Sequence, residues 1–149
     1  MISTQINILL ADDDADDCLL FEEALKELPL LTSISIVKNG EELMERLYQK
    51  EIKFPDVLFL DLNMPRKNGF AALGEIKRDS NLSIIPVIIF STSNEEDCIT
   101  QVFKDAAHYY IHKPADFSDF KKTIFKVLNL IVQKSLPLPT KEKFVIKLD

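Results

Sequence analysis

The chain has 149 residues, enough for one domain with a sizeable core, and its 46% apolar and 28% charged residues are ordinary for a globular protein. A net charge of −6 argues against a nucleic-acid surface, because phosphate backbones are met by clustered Lys and Arg. No stretch reads as a secretion signal, no apolar run approaches the roughly 20 residues that cross a bilayer, and Cys18 and Cys98 form no CxxC pair. A soluble, cytoplasmic protein with two reduced thiols is expected.

Strand-like and helix-like stretches alternate along the chain, the pattern of a parallel sheet built from βαβ units. Ile6 to Ala11 is a short apolar run suited to a central strand covered on both faces. From Ala15 to Leu28 the spacing of Cys18, Phe21, Leu25 and Leu28 turns helical, with Asp14 as N-cap and Asp16 and Asp17 at the positive helix end. Ser33 to Val37 alternates as a second strand, Asn39-Gly40 makes a turn, and Glu41 to Gln49 forms a second helix. Pro55-Asp56 introduces a third strand, Val57 to Leu60; a breaker-rich loop, Met64 to Gly69, precedes a third helix from Phe70 to Arg78. Pro86 opens the fourth strand, Asn94 to Asp105 is the fourth helix, His108 to His112 the fifth strand, and Phe117 to Gln133 a long last helix. After Gln133, Pro137 and Pro139 cannot continue a helix, and Phe144 to Leu148 reads as a short strand. The expected organisation is one α/β domain over 1–134, a doubly wound five-stranded parallel sheet of order 2-1-3-4-5 with five helices, and a C-terminal arm over 135–149.

Four polar positions each follow an apolar strand: Asp12-Asp13 after the first, Asp61 after the third, Ser91 after the fourth and Lys113 after the fifth. The carboxyl ends of parallel strands open on one edge of the sheet, where ligands bind, so three carboxylates, a hydroxyl and an ammonium would converge there. Three ionised carboxylates in one crevice repel one another unless a cation neutralises them, and hard oxygen donors select Mg2+ or a similar ion. A carboxylate can also be a nucleophile, giving an aspartyl phosphate. Asp61, central at the tip of a wholly apolar strand, is the choice for that role. Mg2+, the Lys113 ammonium and the Ser91 hydroxyl could each take one phosphoryl oxygen. Singly, each residue has an ordinary alternative: an Asp or Ser after a strand caps a helix, and Lys-Pro opens a loop. Their joint placement carries the argument. There is no GxxxxGK[ST] loop, GxGxxG turn or GxSxG elbow, and His108 and His112 read as solvated edge residues.

The segments ILLADDD, LFLDLNMPRKNGF, PVIIFSTS and YYIHKP resemble the receiver domain of two-component response regulators, over residues 5 to about 133. The fourth segment, YYIHKP, and the lack of an appended output domain look most like the small stand-alone regulators that often serve phytochrome-type sensor kinases. The resemblance implies that Asp61 accepts a phosphoryl group from a partner kinase's histidine. It further implies that Asp12 and Asp13 position Mg2+, with Asp61 and the main-chain carbonyl of Asn63 as further ligands. Ser91 and Lys113 would grip the phosphoryl group, the Lys113–Pro114 bond would be cis, and Tyr110 would be the switch aromatic that turns inward as Ser91 moves. Asp14 adds a third successive acid and leaves open which two face the metal. Thr92 stands where a smaller residue is common, which narrows access.

Phosphorylation would re-pack the fourth helix, the fifth strand and the fifth helix. On the last helix Phe120, Ile124, Val127, Leu128 and Ile131 form a core stripe, yet Phe125, Leu130 and Val132 fall outside it. A helix apolar on more than one side points to a partner, and a homodimer through this face is expected, with the 144–148 arm adding a strand to an edge, its own or the partner's. The leading expectation is a phospho-acceptor switch rather than an enzyme acting on a diffusible substrate. The alternative is a degenerate receiver used as a phosphorylation-independent interaction module. An Asp-nucleophile phosphatase is disfavoured because Asp61-Leu62-Asn63 lacks a second acid two residues on.

Overall fold

In the computed structural model, which describes residues 5–93, 95–132 and 138–147, five strands form one parallel sheet. They are β1 (Ile6–Ala11), β2 (Thr32–Val37), β3 (Val57–Leu60), β4 (Val87–Ser91) and β5 (Tyr109–His112), ordered β2-β1-β3-β4-β5. Ile8 pairs with Ile34 and Val57, Leu58 with Val87, and Ile89 with Tyr110, so apolar registers run across the whole sheet. The helices are α1 (Ala15–Lys26), α2 (Gly40–Tyr48), α3 (Gly69–Arg78), α4 (Glu96–Lys104), α5 (Phe117–Val132) and a short α6 (Lys141–Phe144). This is the doubly wound α/β architecture expected, with α6 belonging to the C-terminal extension.

The two-residue period of a strand sends alternate side chains to opposite faces, and the core divides accordingly. Ile8 and Leu10 of β1 join Phe59, Phe90, Phe21 of α1 and Phe120 of α5, whereas Leu9 and Ala11 join Leu43 of α2, Leu73 of α3 and Val102 of α4. Phe21 is a hub of the first layer, its ring 4.9 Å from Phe59, 5.8 Å from Phe90 and 6.0 Å from Phe120 in edge-on arrangements. Such edge contacts are favoured by the ring quadrupole.

Local chemistry starts the helices. Asp14 caps α1 by accepting from the Asp17 amide, Asn39 caps α2 by accepting from Glu42, and Asn68 caps α3 by accepting from Ala71. Asn39-Gly40 is therefore a cap and first helical residue rather than a free-standing turn. Gly40 and Gly69 are required by close approach. A Cβ at Gly40 would lie 2.1 Å from the Lys67 carbonyl oxygen, and one at Gly69 2.3 Å from that of Asp61. These contacts seat the β3–α3 loop beside the carboxyl edge. α4 ends on Ala106 in the left-handed region (φ 67°), with the Ala107 amide reaching back to the Val102 carbonyl.

The C-terminal segment departs from the expected strand. Lys141–Phe144 forms a helical turn, and only Val145 makes a β-bridge, parallel to Tyr110, with the Ile146 amide donating to the Tyr110 carbonyl at 2.9 Å. Phe144 is fully buried among Phe103 of α4 and Tyr110, at ring distances of 5.2 and 6.3 Å. The arm thus packs on its own domain, at the β5 edge of the sheet. A five-residue apolar run cannot by itself distinguish strand from helix; the hydrophobic notch beside α4 selects one ring to fill it. On α5 Phe120, Ile124, Val127 and Leu128 of the expected core stripe are buried, whereas Ile131, like Phe125 and Leu130, is half-buried and Val132 stays 46% exposed. The expected helix boundaries at Asn94 and Gln133, and Leu148 of the expected strand, lie outside the described residues.

Candidate functional site

The carboxyl ends of β1, β3, β4 and β5 bring Asp12, Asp13, Asp61, Ser91 and Lys113 to one edge of the sheet. Among the described residues, one cluster of acidic or metal-ligating side chains is tight enough to hold an ion. It consists of Asp12, Asp13 and Asp61, with carboxylate oxygens within 4.8 Å of one another. Asp14 does not join it, because its carboxylate is occupied in capping α1. Of the three successive acids, Asp12 and Asp13 cluster with Asp61 while Asp14 turns to the helix start.

Each group is held by its neighbours. Asp12 is completely buried; its Oδ1 accepts from the Asp14 amide at 2.9 Å and its Oδ2 from Lys113 Nζ at 2.8 Å. Asp61 Oδ1 accepts from the Asn63 amide at 3.2 Å, and its Oδ2 stands 3.8 Å from Lys113 Nζ. Ser91 is buried, its Oγ accepting from the Ser93 amide at 3.1 Å, and its carbonyl accepts from the Lys113 amide at 2.8 Å. Lys113 also lies over the Phe90 ring, 5.1 Å from its centroid, and donates to Asp17 Oδ2 at 2.8 Å. In the sequence Asp17 stands out only as an acid at a helix N-terminus. A separation of 96 residues from Lys113 leaves no local signal for the contact.

Burial sets the electrostatics. It lifts the Asp61 carboxyl to about 6; the Lys113 charge opposes this and the Asp12 charge adds to it. Asp12 is raised too, burial outweighing its bond to Lys113. The Lys113 ammonium is penalised by the same burial, yet hydrogen bonds to Asp12 and Asp17 and the charges of Asp12 and Asp61 hold its pKa above the ordinary lysine range. The pair is asymmetric because one ammonium serves several carboxylates. Burial raises these carboxyls more than the one lysine lowers them, so their ionised forms would gain from a further cation. Three oxygen donors so placed fit a hard divalent cation, so the residues present suit Mg2+.

Tyr110 is fully buried, turned inward, and its hydroxyl donates to the Ser93 carbonyl. Two expectations are corrected. No peptide bond among the described residues is cis; the trans Lys113–Pro114 bond, which X–Pro linkages prefer by about 0.5–1 kcal/mol, still lets Nζ reach Asp12. His108 is not a solvated edge residue: it precedes β5 with Nδ1 buried and unpartnered. Burial, with the Lys77 charge nearby, pushes its pKa down to about 4. His112 is exposed, with Nε2 2.9 Å from the Thr92 carbonyl.

A β2-β1-β3-β4-β5 parallel sheet with this acidic triad, hydroxyl and lysine on its carboxyl edge defines a class, and comparison agrees. Residues 8–125 match the response regulator receiver domain family, and the chain belongs to it. It is 31% identical over 121 residues to the response regulator Rcp1 of Synechocystis, covering 78% of this chain and 82% of that protein. The crystal structure of the Mn(2+)-bound form of Rcp1 superposes with a TM-score of 0.77 at 29% identity, over 91% of this chain and 99% of the other. That of the phosphorylated cyanobacterial phytochrome response regulator RcpA gives 0.79 at 33% identity, over 92% and 100%. Among the described residues, no helix is long and apolar enough to cross a membrane.

Proposed function

We propose that this chain is a cytoplasmic phospho-acceptor switch: Asp61 takes a phosphoryl group from the histidine of a phytochrome-type sensor kinase and passes the signal on by changing shape. The observation that carries this reading is the convergence on Asp61 of Asp12, Asp13 and the Lys113 ammonium, 3.8 Å from its Oδ2. An Oδ of Asp61 attacks phosphorus while the P–N bond to the donor imidazole breaks; the imidazole keeps the electron pair and takes up a proton. Asp12, Asp13, Asp61 and the Asn63 carbonyl would hold Mg2+. Bound there, the ion supplies neutralisation of the carboxylates and of one phosphoryl oxygen. Lys113 and the Ser91 hydroxyl take the remaining oxygens. The chain promotes only its own phosphorylation and dephosphorylation and acts on no diffusible substrate.

The new charge draws Ser91 toward it, and the Ser91–Ser93 segment carries Tyr110 with it through the hydroxyl bond to Ser93. The readout face is α4, β5 and α5; the C-terminal arm covers part of it at Phe103, Tyr110 and Lys126, so a second copy of the chain would pair beside the arm, where Val132 remains exposed, or by displacing it. Incubating the protein with Mg2+ and acetyl phosphate and recording its intact mass tests the chemistry. One added phosphoryl group is expected, absent in Asp61→Asn and in EDTA. No addition under these conditions or with kinase would favour a phosphorylation-independent interaction module.

A further inference from the structure

The reaction outlined above leaves one partner of Lys113 without a task. Asp17 lies in the first turn of α1, and its Oδ2 is as close to Lys113 Nζ as that of Asp12, 2.8 Å in both cases. Asp61 Oδ2 is 1 Å more remote, at 3.8 Å, beyond hydrogen-bond reach. An ammonium has three donors and no acceptor. Two are engaged by Asp12 and Asp17 and the third is free, but these two bonds fix Nζ 3.8 Å from Asp61 Oδ2, so a shift toward an oxygen carried by Asp61 strains one of them. The two holders differ in what that would cost. The Asp12 side chain is 0% exposed and tied to the Asp14 amide, so a lost ammonium would strand a buried carboxylate. The Asp17 side chain is 26% exposed and can be rehydrated when it lets go. Its remaining environment includes the buried Cys18 thiol and the acidic neighbours Asp14 and Asp16, none of which could replace the ammonium.

We infer that Asp17 is a positioning residue that holds Lys113 away from Asp61 and competes with the phosphoryl group for its ammonium. The inference rests on the phospho-acceptor reading. Asp17 acts as a releasable tether. It keeps the ammonium neutralised before phosphorylation and opposes the phosphorylated state, because its bond to Lys113 draws Nζ away from Asp61 and shares the charge the phosphoryl group needs. Phosphorylation then frees the Asp17 carboxylate to solvent at the start of α1, beside the exposed Leu19 and Leu20.

The test uses the full chain with Mg2+ and beryllofluoride, an acyl-phosphate stand-in, titrated calorimetrically. Asp17→Asn, which keeps shape and removes charge, should bind beryllofluoride roughly five-fold tighter than wild type, the scale of a weakened charge-assisted hydrogen bond. It should also melt at a lower temperature, since an ion pair is lost. Asp17→Ser should behave alike, and Asp17→Glu, which restores a carboxylate, should return affinity to near the wild-type value. A purely structural residue would not give tighter binding alongside lower stability. Wild-type binding with Asp17→Asn and Asp17→Ser equal or weaker overturns this inference alone. A wild-type chain that neither binds beryllofluoride nor takes up phosphoryl overturns the phospho-acceptor reading and this inference with it.

Discussion

Replacing Phe144 with alanine should unseat the C-terminal arm. The ring is 0% exposed and packs edge-on to Phe103 at 5.2 Å and tilted to Tyr110 at 6.3 Å. Burying a phenylalanine is worth roughly 1.5–3 kcal/mol in transfer, and each aromatic contact about 0.5–1.5 kcal/mol more. In a rigid core, truncation to alanine would cost about 3–5 kcal/mol. Here the arm has a second option, which is to leave. The loss cannot exceed the free energy that docks residues 138–147, so the lower end, about 3 kcal/mol, is expected. The other ties are weak by comparison. The Ile146–Tyr110 and Lys126–Lys147 hydrogen bonds, both 2.9 Å, are worth about 1 kcal/mol each at most, and the exposed Lys141–Glu96 pair at 3.8 Å adds little. These ties cannot hold the arm without the ring, so a chain ending at residue 137 should lose about as much stability as Phe144→Ala. Urea denaturation of the three proteins gives the stabilities, and hydrogen exchange at the Tyr110 amide reports whether β5 has become an open edge. If Phe144→Ala unfolds within about 0.5 kcal/mol of wild type, well below the loss expected of a buried aromatic, the arm is not seated as described.

Four other outcomes can be checked. His108 resists protonation when folded, at about 4 against 6.5 ordinarily; the full shift is worth about 3 kcal/mol, and solvent screening of the half-buried ring lowers this, so stability should fall by about 2 kcal/mol as pH drops from about 6.5 to 4 and then level off. Asp61 works the other way over a similar window, its folded pKa of about 6 lying above 3.8, so urea midpoints of wild type and His108→Gln must be compared at each pH. Their difference should shrink toward acid. Ala106→Gly should stabilise by about 0.5–1 kcal/mol, because only glycine takes a φ of 67° without a Cβ penalty; thermal melting reads this directly. Gly69→Ala places a Cβ 2.3 Å from the Asp61 carbonyl and 2.7 Å from Leu62 Cα, both backbone atoms. A loss of about 2–3 kcal/mol by urea denaturation is expected, with slower acetyl phosphate labelling because Asp61 itself is displaced. Mg2+ at ten times its dissociation constant should add about 1.4 kcal/mol of stability, and Asp13→Asn should abolish most of this increment in a thermal shift series.

Much of the molecule is determined within short windows of sequence. Ile6–Ala11 and Val57–Leu60 are apolar runs of strand length that admit no exposed face, and the structure gives them those bounds. Asp14 needs only its own backbone and the next turn of chain to cap α1. The candidate pocket is legible for a related reason. Parallel strands place all their carboxyl ends on one edge, so polar residues that follow four strands converge whatever the details of packing. What tertiary structure decided lies where long-range packing competes with local preference. The 144–148 run reads as a strand in sequence, but the notch between Phe103 and Tyr110 takes Phe144 at the end of a helical turn. His108 looked like a surface residue until neighbouring elements closed over Nδ1. Asp17 and Lys113 meet across 96 residues because α1 begins where β5 ends on the same sheet edge. A pairing of that kind has no periodicity or spacing to announce it; it exists only once the sheet has brought both ends together and excluded the water that would otherwise screen them.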